Sequence, residues 1–427
     1  MKKIYFSVLT LLILSQSNAQ VYDVGTWAQV TDISNDGVAV GNAAGVLHFK
    51  WTKEEGPVVI GEIGGNNDYI AGNTTISADG KLVSGTMTNP ATGIDEMALY
   101  DTTTQTWEYL GASANGSDTS SWGMSSDGKT IVGLGWKSAS QAIGVIWNRA
   151  NGMKDLGSTV AGKSSRPNSV NGDGTVVVGW QDSENGFRKG VYWKNGVQTF
   201  IKDKQGNLVG EALAVSADGN IIVGFNEPEA YIYNATTNTY TEIVHSDPDY
   251  NTSIVAVSDD GNTAVGYWKP WYATNTEGEG FIWFKDKGVV KIDDYVKEVG
   301  YDSKSFTFVL PTGISPNGKY IGGIGINWDE MDLKGFVIEL KEALSTNENV
   351  LDKIITTISP NPVMNEMTIH TKAIINSAEV YNLAGQKVWN SDNIMNNKID
   401  LSFLNKGVYI IKIKTDSTNE SIKFIKN

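Results

Sequence analysis

A chain of 427 residues with 34 lysines and arginines against 48 aspartates and glutamates has a formal charge of −14 and room for two or three domains. That sign argues against the cation excess by which proteins hold phosphate backbones, so no nucleic-acid partner is expected. The absence of cysteine excludes disulfides, a thiol nucleophile, a Cys-built zinc site and a lipidated N-terminal Cys, while 46 glycines, 13 tryptophans and 17 tyrosines point to a turn-rich β protein.

The chain opens with Met1-Lys2-Lys3 and an apolar run of eleven residues, 4–14. Ser17-Asn18-Ala19 then places small residues at −3 and −1, so 1–19 reads as a signal peptide cut before Gln20. A run of that length cannot cross a hydrocarbon core of ~30 Å. No later stretch is apolar for 18 residues, so the expected product is exported, without a transmembrane segment, and carries −16 once Lys2 and Lys3 are gone.

Next comes a unit of the form aliphatic-Ser-x-Asp-Gly-x-x-aliphatic-x-Gly, repeated seven times. Its Asx-Gly pairs are Asp36-Gly37, Asp79-Gly80, Asp127-Gly128, Asp173-Gly174, Asp218-Gly219, Asp260-Gly261 and Asn317-Gly318, at spacings of 43, 48, 46, 45, 42 and 57 residues. Each pair lies between two short β-rich runs and suits a type I′ hairpin turn, with positive φ at both central residues. The aspartates are therefore expected as turn formers rather than calcium ligands or catalysts. A third run follows in every unit, from Phe49-Lys50-Trp51 to Phe336-Val337-Ile338, and a fourth in six of them, from 58–60 to 289–292. Four antiparallel strands at a period in the forties make one propeller blade. The seventh unit lacks its fourth run; Tyr22-Asp23-Val24-Gly25, which matches Lys154-Asp155-Leu156-Gly157, is expected to supply it and close the ring. The expected fold is all-β, a seven-bladed β-propeller over 20–340.

Two families resemble this stretch. Ser125-Ser126-Asp127-Gly128-Lys129 and Ser315-Pro316-Asn317-Gly318-Lys319 look like the TolB-type propeller repeat. The fuller unit, Val215-Ser216-Ala217-Asp218-Gly219, then Ile222-Val223-Gly224 and a strand such as Gly280-Phe281-Ile282-Trp283, is more similar to the HAF family of bacterial extracellular repeats, across all seven units. That resemblance implies export and a propeller. It brings no defined activity and no catalytic residues.

Residues 341–355 are polar and read as a linker. Beyond them, 356–427 is Lys-rich and built of short alternating strands, which suits a small Ig-like β-sandwich. Ser359-Pro360-Asn361-Pro362 opens this segment, 380–388 (with Gly385) forms a central hairpin, and 404–413 (with Gly407, Tyr409 and Lys412) precedes a Lys423-Phe424-Ile425-Lys426-Asn427 ending. The segment resembles the type A C-terminal sorting domain of type IX secretion in the Bacteroidota. The resemblance implies Pro360, Asn361, Pro362, Gly385, Gly407, Tyr409 and Lys412 as the sorting signal and the type IX machinery as partner. It further implies passage through the outer membrane, removal of the tail, and release or surface attachment.

Chemistry is sparse by comparison. His48, His245 and His370 stand apart, so neither zinc nor a Ser-His-Asp triad is supported, and no catalytic residue, metal ligand or cofactor is assigned. Carboxylates gather at Asp182 and Glu184, Glu227 and Glu229, Asp247 and Asp249, and Asp329, Glu330 and Asp332; solvated loops explain them more simply than a glycosidase pair. Aromatics are more telling. The loop into the first strand and the loop after the second share one propeller face, and these loops carry Tyr69, Trp122, Trp136, Trp180, Trp268, Trp271, Tyr272 and Trp328. Rings beside polar loops suit stacking on sugars or extended peptides, and packing between blades is the alternative. Trp122, Trp136, Trp180, Trp268, Trp271 and Trp328 are the candidate ligand residues. The long step to the seventh unit, with 267–272 and 301–307, is expected to shape that face. Replacing Trp268 and Trp271 is expected to weaken binding with little loss of stability. The leading function is a non-catalytic surface or secreted module binding glycan or protein. A polysaccharide hydrolase or lyase using loop carboxylates, and a plain surface scaffold, are the alternatives.

Overall fold

The structure, a computed structural model, describes residues 20–340 apart from 65–71, 139, 275–276 and 304, and residues 357–427 apart from 372–374, 383–384, 393, 395–396 and 416–418. The expected leader 1–19, the linker 341–355 and Tyr69 lie outside the described residues. The chain divides into two compact units, Met1–Glu342 and Ala343–Asn427.

In the first unit the described strands form seven four-stranded antiparallel sheets. Six are made of consecutive strands, spanning 28–62, 75–109, 119–155, 165–200, 212–243 and 250–291. The seventh joins Phe306–Ile314, Tyr320–Asn327 and Asp332–Glu339 to Gln20–Thr26 from the other end of the chain, with Val21 opposite Ile338 and Tyr22 opposite Val337. Middle strands such as Val176–Asp182 are buried on both faces and read as unbroken apolar runs, whereas outer strands such as Val197–Phe200 alternate. Each sheet packs on the next, and the seventh on the first.

The Ser-x-Asp-Gly turns are not type I′. Only their glycines have positive φ, between 68° and 85°, and the Asx residues do not. The Gly N–H donates to the Ser carbonyl, as Gly128 does to Ser125 at 2.8 Å, which gives a type I turn followed by one left-handed residue. The sequence hid this because Asx-Gly suits both turns; the side chain three residues before the glycine decides, a serine in six turns and in the fourth Asn171, whose Oδ1 accepts the Thr175 and Val176 N–H groups at 2.8 Å. Ser34, Ser77, Ser125, Ser216, Ser258 and Ser315 each donate Oγ–H to the Asx Oδ1 two residues on, at 2.5–2.7 Å. The Ser77 hydroxyl thereby holds the Asp79 carboxyl below its ordinary range.

The glycine closing the unit has a different cause. The first strand of six sheets carries a β-bulge, at Val30/Asp32, Ser121/Gly123, Pro167/Ser169, Ala212/Ala214, Ile254/Ala256 and Pro311/Gly313. The bulge pushes a carbonyl over the neighbouring strand. A Cβ on Gly133 would sit 1.9 Å from the Ser120 oxygen, and one on Gly179 2.1 Å from that of Arg166. The bulged residues Thr31, Trp122, Asn168, Leu213, Val255 and Thr312, with Asn73 just ahead of the second sheet, line a common cavity of about 150 Å³ bounded by the first strands of all seven sheets.

On the turn side this cavity is narrowed by a collar. Backbone N–H groups donate to the next sheet's turn carbonyl, Asn35 to Ala78, Ala78 to Ser126, Gly172 to Ala217, Ala217 to Asp259 and Asp259 to Pro316, at 2.8–3.3 Å. Asn317 N–H donates to the Asn35 side chain at 2.7 Å, and Ser126 Oγ donates across to Asp259 Oδ1 at 2.9 Å.

One helix among the described residues, Ile292–Glu298, follows the sixth sheet. It departs from the expected all-strand pattern because Ile292 and Val296, one helical turn apart, are both buried, with Asp293 and Asp294 in the first turn and Lys297 in the last.

The second unit has a three-stranded and a four-stranded sheet around Met367, Ile369, Val380, Ile411, Ile413 and Phe424.

Candidate functional site

Every first strand runs toward its Ser-x-Asp-Gly turn. Its N-terminal end and the connection from second to third strand therefore lie on the opposite, open face. Among the described residues of 20–340, every well-exposed aromatic side chain is there: Trp27, Phe187, Trp271, Tyr272 and Trp328, at 51–72% exposure. Trp271 and Tyr272 meet edge to face, with centroids 5.7 Å apart. Trp328 Nε1–H donates to Thr307 Oγ1 at 3.0 Å, which fixes the ring on its loop.

Toward the centre of this face, aromatic rings and guanidiniums alternate. Trp122, turned inward by its bulge, stacks on the Arg166 guanidinium at 3.5 Å; Trp180 lies 5.4 Å from Arg166 and 4.3 Å from Arg188. Glu211 bridges the two cations, Oε1 to Arg188 Nη1 at 3.0 Å and Oε2 to Arg166 Nη2 at 3.7 Å. Arg166 Nε–H also donates to Asn168 Oδ1 at 3.0 Å. Burial lowers the Arg166 pKa to about 10, with Glu211 opposing the shift, so the side chain stays charged at neutral pH.

The structure separates the six candidate tryptophans. Trp271 and Trp328 are open, and Trp122 and Trp136 are half-buried. Trp180 is buried between its arginines. Trp268 is also buried, 4.6 Å from the Phe281 ring and 5.1 Å from His245, in the core of the sixth sheet. The expectation that Trp268 could be removed at little cost is therefore corrected, since the strand carries it inward while Trp271 lies beyond the strand end at Pro270. Trp27 and Phe187 escaped the sequence reading because one follows the closing strand and the other sits in a polar turn. Arg166, Arg188 and Glu211 belong to no motif; the scarcity of arginine, three among 34 cations, was the available signal.

His48 is buried, with Nε2–H donating to the Thr86 carbonyl at 2.9 Å and Nδ1 2.7 Å from Thr74 Oγ1; burial pulls its pKa down. It is a core residue. Among the described residues no three of His, Cys, Asp and Glu are grouped to hold a metal. The larger cavity, about 330 Å³, lies against the seventh sheet and carries the carboxylates Asp23, Asp302 and Asp329 beside Tyr22, Tyr301 and Phe306.

In the second unit the motif residues knit the fold together. Asn361 Oδ1 accepts the Ile425 N–H at 2.9 Å, pinning the Pro360-Asn361-Pro362 segment to the last strand. Gly385 takes φ 76° in its turn. Gly407 opens a strand, in which Tyr409 stacks on Phe424 at 5.6 Å and Lys412 lies 4.9 Å from the Tyr381 ring.

Residues 357–427 match the family described as the secretion system C-terminal sorting domain. No curated protein matches the sequence. Among solved structures, an oligogalacturonate lyase from Vibrio parahaemolyticus superposes with a TM-score of 0.50 at 13% identity, covering 77% of this chain and 95% of that one. The β-propeller domain of the Trilobed protease from Pyrococcus furiosus gives 0.47 at 13% identity, covering 72% and 95%. At such identity the likeness to the lyase shows the fold alone. The chain is thus an all-β protein with a propeller-like first unit, and its C-terminal sorting domain marks it for type IX secretion to the cell surface or beyond. No helix among the described residues is long and apolar enough to cross a membrane.

Proposed function

We propose that the seven sheets are the blades of one propeller spanning 20–340 and that 356–427 is an Ig-like sandwich serving only as an address. On this reading the leader is cut before Gln20, the source is a bacterium of the Bacteroidota, and the blades are HAF-type repeats. The exported ring is a non-catalytic module that binds a glycan or protein ligand on its open face. One observation carries this reading: among the described residues of the unit the well-exposed aromatic rings share that face, while the opposite face is made of minimal turns. Rings left in water on one side of a protein are costly unless they meet a partner.

The test is calorimetric titration of the purified chain with a panel of polysaccharides and peptides. Replacing both Trp271 and Tyr272 by Ala is expected to weaken binding about tenfold, the loss of one or two stacking contacts, with the melting temperature unchanged. Trp268→Ala is expected to act through stability instead, costing ~3–5 kcal/mol as a large-to-small core change. Equal binding by the Trp271/Tyr272 variant would sink the assignment.

The three carboxylates around the 330 Å³ cavity favour a second reading, a polysaccharide hydrolase or lyase. Reducing-sugar release lost in both Asp302→Asn and Asp329→Asn would establish it.

A further inference from the structure

We infer that the alternating stack on the open face is a receptor for a carboxylate carried by a saccharide, a uronic-acid unit held by Arg188. This rests on the reading that the open face binds glycans and names the chemistry of one subsite. Arginine is rare here, three of 34 cations, so its placement is informative: it is preferred to lysine where a planar fork must stack on a ring and pair with a carboxylate. The third arginine, Arg149, shows a completed fork, with Nη1 and Nη2 donating to the two oxygens of Glu108 at 3.0 and 2.7 Å. Arg188 does not have that arrangement. Glu211 is shared between two guanidiniums and gives Arg188 a single bond, from Nη1. The Arg188 side chain keeps 53% of its surface in solvent, against 11% for Glu211. The cluster is short of one carboxylate.

The surroundings admit one. Trp180 supports the guanidinium at 4.3 Å, so the fork is held without being filled. The cross-strand neighbour Asp182 feels Arg188 first and Lys163 second, so Arg166, Arg188 and Lys163 together face two carboxylates, Glu211 and Asp182, on a chain of charge −14. A local excess of one positive charge suits a single carboxylate on a sparsely charged ligand, and a dense polyanion would be repelled by the rest of the surface. A saccharide is preferred to a peptide because flat, exposed indoles (Trp27, Trp271 and Trp328) share the face and suit stacking on sugar rings.

The experiment uses the purified chain with three probes: a neutral-backbone xylo-oligosaccharide bearing one glucuronic-acid unit, the same oligomer with that carboxyl methyl-esterified, and a peptide carrying one net negative charge. Calorimetry is expected to find the singly charged oligomer bound, and the ester weaker by on the order of ten- to a hundredfold, the loss of a charge-assisted hydrogen bond. The acid-to-ester ratio should shrink as salt is raised. Arg188→Gln should abolish the ratio with the melting temperature unchanged, since Glu211 keeps Arg166. Arg188→Lys should restore it only in part. Equal binding of acid and ester, with loss on replacing Trp271 and Tyr272, would overturn the carboxylate subsite and leave the glycan reading standing. Preference for the peptide would overturn the saccharide assignment, and no binding to any oligomer, charged or neutral, would overturn both.

Discussion

A buried or half-buried charge is informative because its cost is readable as a pH dependence. Asp32 lines the central cavity, where Oδ1 accepts the Ile33 N–H and Oδ2 the Ile76 N–H, at 2.9 and 2.8 Å. Desolvation nevertheless raises its pKa from 3.8 to about 7, aided by the charge of Asp259. The folded carboxyl therefore holds its proton more tightly than the unfolded one. Between about pH 4 and 7 the native state binds more protons, and stability falls as pH rises. Asp32→Asn should flatten that fall, by ~4 kcal/mol at most for a shift of this size. Melting curves of both forms across the window check it, and parallel slopes would refute it. Asp293, pushed up to about 6 by burial, titrates in the same range and is common to both forms. Nothing in the sequence marked Asp32: it lies before the Ser34 turn among residues that vary between units, and only the assembled ring surrounds it with protein.

At the scale of the element, strand positions and turn sites were legible because every unit repeats them, and repetition separates constraint from accident. The turn type was not, since it depends on the hydrogen bonds of the Ser or Asn171 side chain and on φ at the Asx residue. The reason for the second-strand glycine was hidden too, because it lies in a bulge on the neighbouring strand. That gives a direct prediction. Gly179→Ala would place Cβ 2.1 Å from the Arg166 carbonyl oxygen, where no flexible group can yield. It should lower stability by several kcal/mol, among the largest single-site losses, and disturb the Arg166 side of the alternating stack as well. Thermal melting and an anionic-probe titration read the two effects separately; an unchanged melting temperature would show that the bulge is not fixed. The helix Ile292–Glu298 escaped notice because seven residues between strands offer less than two full turns of periodicity.

For the whole molecule, the division of labour was written in composition: a Gly-rich repeat region, then a Lys-rich tail with its own core. Gln20–Thr26 completes the seventh sheet, and that closure uses no residue of the second unit. Deleting 357–427 is expected to leave the first unit folded, with an unchanged melting temperature, and retained short of the cell surface. Cell fractionation with mass spectrometry decides this, and surface display of the truncated chain would overturn it. The candidate site was less legible than the fold. Its two arginines open the first and third strands of one sheet, while Trp122 and Glu211 come from beside it in the sheets before and after, a juxtaposition that no spacing rule encodes.

The collar on the turn side has a consequence for the shape of any occupant. With Ser126 reaching across to Asp259, the ring is a cup and not a pipe. A long ligand cannot thread through it. It must lie across the rim, entering and leaving by one mouth, so recognition requires no free chain end. Interior segments of a polymer are then as acceptable as its tips, and shortening a ligand should cost affinity only once it no longer spans the rim.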